Sequence, residues 1–293
     1  MKILIAGIPG ASSSRQLERE LTDRGIETGV FALAECRFDT ISGRVFWKRY
    51  DFSDCDAIVV RKLGDATDPL SRYRINLLYH LESVGVPVIS APAAIDEAND
   101  RYRMTMGLVR AGIPMPETVV TESFYEACTI TERWGKAVLK PLMTSKGRGM
   151  VILDREGPYR LTLKHWQDVG RFPYYLQRFL PVLHDTGVAV LNGQVLGAFN
   201  RVSGGSWQTT IRKGGHYEPC QPDETMRNIA LTAAAAFSLD YTVVDIVRYA
   251  SRYYVYEVSA FGGFSGLASC NINAAGIYAD YVIQKIRGVR KTR

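Results

Sequence analysis

The sequence has few cysteines and histidines, and neither type shows the spacing of a metal site or of a catalytic set. Five cysteines are spread over 293 residues without a Cys-x-x-Cys pair or a histidine at the spacing of zinc ligands. This spacing argues against a zinc site or a disulfide framework, and reduced thiols in a cytoplasmic protein are the plain interpretation. The four histidines form no convincing Ser-His-Asp or Cys-His set, so catalysis through a side-chain nucleophile is not expected.

Long apolar runs and a strong charge imbalance are also missing. The N-terminal stretch Met1–Gly7 is too short for a signal peptide core or a membrane span, so it predicts a buried first strand and no membrane association. The net charge of +6 favours anionic partners. The charge is spread along the chain apart from the basic end Lys285–Arg293, and nucleic-acid binding, which would depend on charge alone, is not expected.

The N-terminal third alternates between strand and helix patterns, which predicts a parallel sheet. Glycines after helical patterns, at Gly25, Gly85 and Gly112, predict left-handed helix caps. The expected strands are Lys2–Ile8, Asp56–Leu63 and Val86–Ser90, and the expected helices are Ser12–Arg24 and Leu70–Val84.

A proline-containing connector after Gly112 leads into a second region, and past Pro181 the pattern becomes antiparallel. The dipeptide Asn192-Gly193 between two apolar stretches is typical of a tight hairpin. The expected strands are Ala137–Pro141, Met150–Leu153, Tyr174–Phe179, Thr242–Arg248 and Tyr253–Val258, and the expected helices are Asp223–Phe237 and Ile272–Ile286.

A lysine at the end of one strand precedes a glycine-rich loop. Lys140 follows apolar residues, a position that suits either a side chain reaching for water or a phosphate ligand. The loop after it contains Lys146, Gly147, Arg148 and Gly149. Such glycines let backbone amides approach phosphate oxygens, and the cations offset their charge. Neither a P-loop nor a GxGxxG motif is present, so a Rossmann dinucleotide site is not expected.

Two acidic residues lie within apolar strands near the C-terminus. Asp245 and Glu257 have apolar neighbours, and a buried ionised carboxylate is unfavourable unless it is paired or bound to a metal. On consecutive strands the two acids can hold Mg²⁺ between them, or each can pair with an arginine or lysine from elsewhere. Ser259 points to the same face of its strand as Glu257.

A cationic segment lies between the lysine and the two acids. Clusters of cations and hydroxyl groups bind phosphates or a substrate carboxylate, although charged loops are more often simply solvated. The segment contains Arg201, Thr209, Thr210, Arg212 and Lys213.

Several short motifs occur in a recognisable order. They are Ala98-Asn-Asp-Arg, Ala111-Gly-Ile-Pro-Met-Pro-Glu-Thr, Ala137-Val-Leu-Lys-Pro, the Lys-Gly-Arg-Gly loop, Leu176-Gln-Arg-Phe-Leu, Asp185, Arg201, Val244-Asp-Ile-Val and Tyr256-Glu-Val-Ser-Ala. Together they resemble the ATP-grasp superfamily, and within it the RimK-type ligases, which add glutamate or similar amino acids to a carboxylate. The stretches 207–215 and 257–264 are most similar to the ATP-grasp members of the bacterial GAK system.

The resemblance implies an ATP-grasp fold of mixed α/β and α+β class. An N-terminal parallel-sheet domain would span residues 1–95. Two antiparallel α+β subdomains, residues 96–182 and 183–293, would clasp ATP between them. Relatives commonly form homo-oligomers, so one is expected here as well.

The resemblance also implies roles for individual residues. Lys140 and Arg201 would act on the transferred phosphate, and Asp245, Glu257 and Ser259 would hold Mg²⁺ or Mn²⁺. The positions that would contact ATP are Arg101, Lys140, Lys146, Gly147, Arg148 and Gly149, the adenine-reading segment Gln177, Arg178, Phe179 and Leu180, and Asp185 near the ribose.

Three positions depart from the family pattern. Relatives usually carry Asn at the position of Ser259, Glu at the position of Arg178 and Arg at the position of Gly187. A hydroxyl group is a poorer Mg²⁺ ligand than an amide carbonyl, so a second metal ion would be held less firmly.

The expected activity is the ATP-dependent joining of a carboxylate to an amine through an acylphosphate, in a cytoplasmic enzyme. The substrates would be small molecules, or a peptide or protein would be the acceptor. Two alternatives stay open: an ATP-grasp kinase that stops at a phosphorylated hydroxyl group, and an ATP-binding regulatory protein without ligase activity.

Overall fold

The N-terminal part of the chain forms a parallel sheet and a small antiparallel sheet. The computed structural model describes residues 1–64, 70–144 and 147–291. The elements of this part are β1 (Lys2–Ala6), α1 (Ser12–Asp23), β2 (Glu27–Phe31), β3 (Cys36–Asp39), β4 (Arg44–Trp47), β5 (Tyr50–Asp51), β6 (Ala57–Val60), α2 (Ser71–Ser83) and β7 (Val88–Ile89). The parallel sheet has the order β2-β1-β6-β7, and the antiparallel sheet the order β3-β4-β5.

The predicted parallel sheet and its two helices are confirmed, although β1, β6 and β7 are shorter than expected. The antiparallel sheet was missed because its strands are too short to show a clear alternation of apolar and polar residues. Phe31 links the two sheets, since its ring lies 5.7 Å from the ring of Trp47.

The middle part of the chain forms an antiparallel sheet with helices on one face. Its elements are α3 (Pro92–Asn99), α4 (Arg101–Arg110), β8 (Thr118–Thr121), α5 (Phe124–Trp134), β9 (Lys136–Lys140), β10 (Val151–Asp154), α6 (Tyr159–Asp168) and β11 (Tyr174–Arg178). The strand order is β10-β9-β11-β8. Apolar side chains of β9 and β11, among them Leu139 and Leu176, pack against α5 and α6. By alternation, Lys140 and Gln177 lie on the opposite face, away from α5 and α6.

The C-terminal part is a five-stranded antiparallel sheet. Its elements are β12 (His184–Leu191), β13 (Gln194–Val202), β14 (His216–Cys220), α7 (Glu224–Ala235), β15 (Tyr241–Tyr249), β16 (Arg252–Ser259), α8 (Ser265–Ala268) and α9 (Ala274–Lys291). The strand order is β14-β13-β12-β15-β16. Asn192 and Gly193 have positive φ angles of 48° and 73° and join β12 to β13, which confirms the predicted hairpin.

The two faces of the five-stranded sheet differ. One face, with Val188 and Val244, is apolar and packs against α7. The other face is apolar only at one end, where Phe199 and Val243 pack against α8 and α9. Its other end carries charged side chains and is not covered by these helices. Within the described ranges, every helix is too short or too polar to cross a membrane.

Candidate active site

Lys140 is held in place by a chain of hydrogen bonds on the face of the middle sheet opposite α5 and α6. Its Nζ donates to Oε1 of Gln177 at 2.5 Å, and Nε2 of Gln177 donates to Oγ1 of Thr118 at 3.1 Å. The pairing of β9 with β11 sets Tyr175 opposite Lys140 and Gln177 opposite Val138, so that Lys140 and Gln177 are diagonal neighbours. Lys140 is only 6% exposed.

The surroundings of Lys140 lower the pKa of its ammonium group. The pKa of Lys140 falls from 10.5 to about 7, chiefly through burial and also through the positive charge of Arg101, while Glu257 acts in the opposite direction. A buried ammonium group without a paired carboxylate is stabilised by an incoming anion. Lys140 is therefore not a side chain reaching for water, and its setting suits the binding of an anion.

Arg101 connects the start of α4 to both sheets. Its Nε donates to the carbonyl of Pro141 at 3.1 Å, and its amide donates to the carbonyl of Leu142 at 3.2 Å. Its Nη2 lies 3.7 Å from Oε2 of Glu257. Arg101 is therefore fixed next to the end of β9, with its guanidinium group turned toward the acids of the five-stranded sheet.

The two predicted metal ligands face each other. Asp245 on β15 lies directly opposite Glu257 on β16. Ser259 lies opposite Val243, one step further along the same face. The predicted juxtaposition of the two acids is thus present in the structure.

A β-bulge adds an aromatic residue that the sequence did not reveal. Asp245 pairs with Glu257 and Ile246 pairs with Val255, which leaves Tyr256 as the extra residue of β16. The bulge places the ring of Tyr256 5.1 Å from Nζ of Lys140, within the range of a cation–π interaction. A bulge has no clear pattern in the sequence, so nothing marked Tyr256 as part of this site.

One guanidinium group is shared by two carboxylates. Arg201 lies opposite Asp185 in the pairing of β12 with β13. Its Nε donates to Oδ2 of Asp185 at 3.1 Å, and its Nη2 also contacts Asp185. The same Nη2 lies 2.6 Å from Oδ1 of Asp245, but this contact is not aligned as a hydrogen bond, and that oxygen has no hydrogen-bond partner among the described residues.

The shared cation leaves Asp245 only partly compensated. The pKa of Asp245 is raised to about 7, chiefly by burial, with Arg201 opposing this rise and the charges of Asp185 and Glu257 contributing to it. Burial works against the charge of Arg201 as well, yet the two carboxylates raise its pKa well above the ordinary value. Arg201 thus stays charged, and Asp185 holds it in place.

Both acids pair with arginines in the structure, as the alternative reading of the sequence allowed. These pairs are Asp245 with Arg201 and Glu257 with Arg101. Among the described residues, no group of three or more His, Cys, Asp and Glu side chains could hold a metal ion. Mg²⁺ is commonly held by one or two carboxylates together with water and substrate phosphates. The incompletely bonded carboxylate of Asp245, opposite Glu257, fits a site of that kind.

The end of β11 offers backbone groups to a planar ligand. The amide of Arg178 donates to the carbonyl of Glu117 at 2.8 Å, and the amide of Phe179 donates to the carbonyl of Lys136 at 3.2 Å. In the part of the chain that the structure describes, no hydrogen bond uses the amide of Leu180. A ligand at this position would therefore donate to a carbonyl of this segment and accept from Leu180.

The glycine-rich loop touches the C-terminal part of the chain. The carbonyl of Gly147 accepts from Nε2 of Gln208 at 3.1 Å, and within the loop Oγ1 of Thr144 donates to the carbonyl of Arg148 at 2.9 Å. The predicted phosphate ligand Lys146 lies outside the described residues, whereas Gly147, Arg148 and Gly149 lie within them.

The cationic segment does not join the acid pair directly, apart from Arg201. Thr209 and Thr210 are half-buried in the connection between β13 and β14, just before a short 3₁₀ turn. Arg212 and Lys213 are exposed within that turn, and neither lies within ion-pair distance of an acid that the structure describes.

The departure at position 187 has a packing explanation. A Cβ atom on Gly187 would lie 2.6 Å from the ring of Phe199 and 3.0 Å from Val243. No side chain fits there while Phe199 keeps its place. An arginine at this position, which the family resemblance leads one to expect, is therefore excluded by the neighbouring core.

Comparisons with known proteins show the family of this chain. Residues 98–282 match the model of a RimK-like ATP-grasp domain. The chain is 30% identical over 241 residues to a tetrahydromethanopterin:alpha-L-glutamate ligase of Methanocaldococcus jannaschii, which covers 80% of this chain and 81% of that protein.

Two solved structures are similar over almost the whole chain. One is the ATP-grasp ligase PsnB in complex with a phosphomimetic variant of a minimal precursor, Mg and ADP, with a TM-score of 0.74, 20% identity and coverage of 97% and 98%. The other is a RimK domain protein from Sphaerobacter thermophilus, with a TM-score of 0.75, 19% identity and coverage of 97% and 100%.

Proposed function

The chain belongs to the RimK-like ATP-grasp family, and on this basis we propose that it joins the carboxylate of a small molecule or peptide to the amine of an amino acid such as glutamate. It has the ATP-grasp fold and is an ATP-dependent carboxylate–amine ligase. The amino-acid amine is supported by the M. jannaschii relative, which is named a glutamate ligase.

The nucleotide lies between the middle sheet and the charged end of the five-stranded sheet. Lys140 and Arg101 bind its phosphates, together with the backbone of Gly147–Gly149 and, outside the described residues, Lys146. The segment from Gln177 to Leu180 reads the adenine, with Leu180 as the amide donor. This arrangement is supported by the buried, weakly basic Lys140 and by the unused amide of Leu180.

Asp245 and Glu257 would hold Mg²⁺, with Ser259 beside them as a weak or water-mediated ligand. The ion would neutralise phosphate charge and align the triphosphate. The structure of the relative PsnB contains Mg and ADP, and the incompletely bonded Asp245 of this chain supports the same chemistry here.

The reaction forms and then breaks an acylphosphate. An oxygen of the substrate carboxylate attacks the γ-phosphorus of ATP, and the bond to ADP breaks. The amine then attacks the acyl carbon, and phosphate leaves as the amine loses a proton. Arg201, held by Asp185, stabilises the charge on the transferred phosphoryl group, because a fixed cation needs no reorganisation as that charge develops.

One observation carries this proposal: Lys140 of one sheet lies over the ring of Tyr256 in the other sheet and near the charge of Glu257, which faces Asp245. ADP release should be measured with L-glutamate as the amine and a panel of acids. Lys140→Ala and Glu257→Gln should each abolish it, whereas Lys164→Ala, which removes an exposed lysine of α6 that pairs with Asp168, should serve as the control. Unchanged release in both site variants would refute the assignment.

Trapping with hydroxylamine separates ligation from phosphorylation of a hydroxyl group, since only an acylphosphate gives a hydroxamate. Tight ATP binding without any turnover would instead favour a regulatory protein. The same proposal includes a similarity to GAK-system enzymes, a division of the chain into three domains after residues 95 and 182, a cytoplasmic location and a homo-oligomeric state. The division is supported by the four sheets, since two of them lie in the N-terminal part and one in each of the other two parts.

A further inference from the structure

Arg61, the residue after β6, is a buried cation in an unusual setting. It is 2% exposed, and its Nη2 donates to the carbonyl of Gly262, in the turn that follows the metal-binding strand β16. Its guanidinium carbon lies 4.3 Å from the ring centroid of Phe264, 5.7 Å from that of Tyr241 and 5.8 Å from that of Tyr278. The N-terminal sheet thereby reaches into the C-terminal part of the chain.

Arg61 has no counter-ion within residues 1–64, 70–144 and 147–291. Among the described residues no carboxylate pairs with it, and its Nε is buried without a hydrogen-bond partner. Burial lowers the pKa of Arg61, which shows how poorly its charge is compensated. A well-packed apolar side chain is often as stable as a buried ion, or more so. Stability of the fold is therefore a weak reason for an arginine at this position.

The turn that Arg61 contacts is closely packed. A Cβ atom on Gly262 would lie 2.8 Å from the side chain of Val243 and 2.9 Å from its backbone nitrogen. The hydroxyl group of Tyr241 donates to the next carbonyl, that of Gly263, at 3.1 Å. Arg61 and Tyr241 thus hold two successive carbonyls of this turn.

The same turn forms a wall of a cleft beside the metal-binding acids. This cleft, called here the N-terminal cleft, is lined by Lys62, Leu63, Arg101, Glu257, Ser259 and Phe261, among others. Lys62 lies over the ring of Phe261, with its Nζ 5.1 Å from the ring centroid. The neighbouring residues 61 and 62 therefore contact the turn through two cation–aromatic pairs.

We infer that Arg61 is a positioning residue, which fixes the turn of residues 260–264 so that the N-terminal cleft can hold the substrate carboxylate next to Glu257. This inference rests on the proposed ligase function. The nucleotide is held mainly by the middle sheet, through Lys140 and the end of β11. Loss of Arg61 should thus weaken the use of the acid much more than the use of ATP.

The test compares Arg61→Met with the wild-type protein. Hydrogen exchange of peptides covering residues 257–266 should become at least about tenfold faster, while thermal stability stays equal or rises. With L-glutamate as the amine and, as the acid, the member of the panel that gives the fastest ADP release, the KM for that acid should rise roughly tenfold to 100-fold, since a displacement of about 1 Å far from the reacting atoms has effects of this size. The KM for ATP should change less than about twofold.

Two further variants keep the result interpretable. Arg61→Lys retains the charge but has fewer hydrogen-bond donors, so its exchange rate in residues 257–266 and its KM for the acid should lie between those of the wild-type protein and Arg61→Met. It replaces Arg61→Met if that variant does not fold. Arg24→Met removes an arginine that bridges α1 and α9 through Glu20 and Asp280, and it should leave exchange of the turn and both KM values unchanged.

Unchanged exchange in residues 257–266 would overturn the inference, and so would equal increases of the two KM values. If the wild-type protein releases no ADP with any acid and amine, the proposed function fails instead. The exchange experiment alone then decides whether Arg61 holds the turn.

Discussion

Nucleotide binding should be coupled to proton uptake by Lys140. Without nucleotide, the pKa of Lys140 is about 7 instead of 10.5. This fall of about 3.5 units, at about 1.36 kcal/mol per unit, corresponds to about 5 kcal/mol against the charged form. At pH 8 about nine in ten molecules therefore carry a neutral Lys140. The phosphates of ATP favour the ammonium form, so each binding event should take up about 0.9 proton.

The sign of the pH dependence follows from this uptake. Because binding requires a proton that the free protein lacks above pH 7, affinity for MgATP should fall as pH rises, by up to about tenfold between pH 8 and pH 9. Asp245 acts in the opposite direction, since its pKa is raised to about 7 and it loses its proton to bind a metal ion. At pH 8 it is already mostly ionised and should release only about 0.1 proton.

The measurement is titration calorimetry with MgATP at pH 8, without acid or amine substrate, in HEPES and in Tris. The observed enthalpy plotted against the ionisation enthalpy of the buffer gives the number of protons taken up, with an expected net value of about 0.8. Lys140→Met should bind more weakly and show no uptake. An enthalpy that does not depend on the buffer in the wild-type protein, or equal uptake in Lys140→Met, would refute the reasoning.

Three other substitutions test single contacts of the site. Tyr256→Leu should weaken MgADP binding roughly twofold to 30-fold by removing the ring over Lys140, whereas Tyr256→Phe should bind normally in the same titration. Arg201→Met leaves Asp185 and Asp245 without their shared cation and should destabilise the fold by about 3–5 kcal/mol in urea unfolding at pH 8; a loss of less than about 1 kcal/mol would contradict the shared pairing. Ser259→Asn introduces an amide carbonyl beside Glu257 and should lower the Mg²⁺ concentration needed for half-maximal activity, a shift that Ser269→Asn, on a different element, should not produce.

The parts of the site that the sequence predicted lie on regular strands. The position of Lys140 could be predicted because it ends a short apolar strand. The sequence also predicted that Asp245 and Glu257 face each other, because two strands joined by a short turn must pair. The helix caps at Gly25, Gly85 and Gly112 followed from local conformation in the same way, and their φ angles of 71°, 89° and 67° confirm them.

The features that the sequence did not reveal depend on distant parts of the chain. Arg61 contacts Gly262, 201 positions away, and no local pattern connects the two. Tyr256 enters the site only because a bulge shifts the register of β16. Gly187 resembled a lost functional group, but the ring of Phe199 fills the space that a side chain would need. Each of these depends on the packing of one strand against another.

The pairing of Asp245 with Arg201 has a consequence for the order in which ligands arrive. A free divalent cation would have to separate a buried ion pair and remain next to a guanidinium group, with only two carboxylates to bind it. The triphosphate offers Arg201 a new anionic partner and brings its own oxygens to the metal. We therefore expect free Mg²⁺ to bind only weakly in the absence of nucleotide. The metal ion and ATP should enter the site together, as one complex.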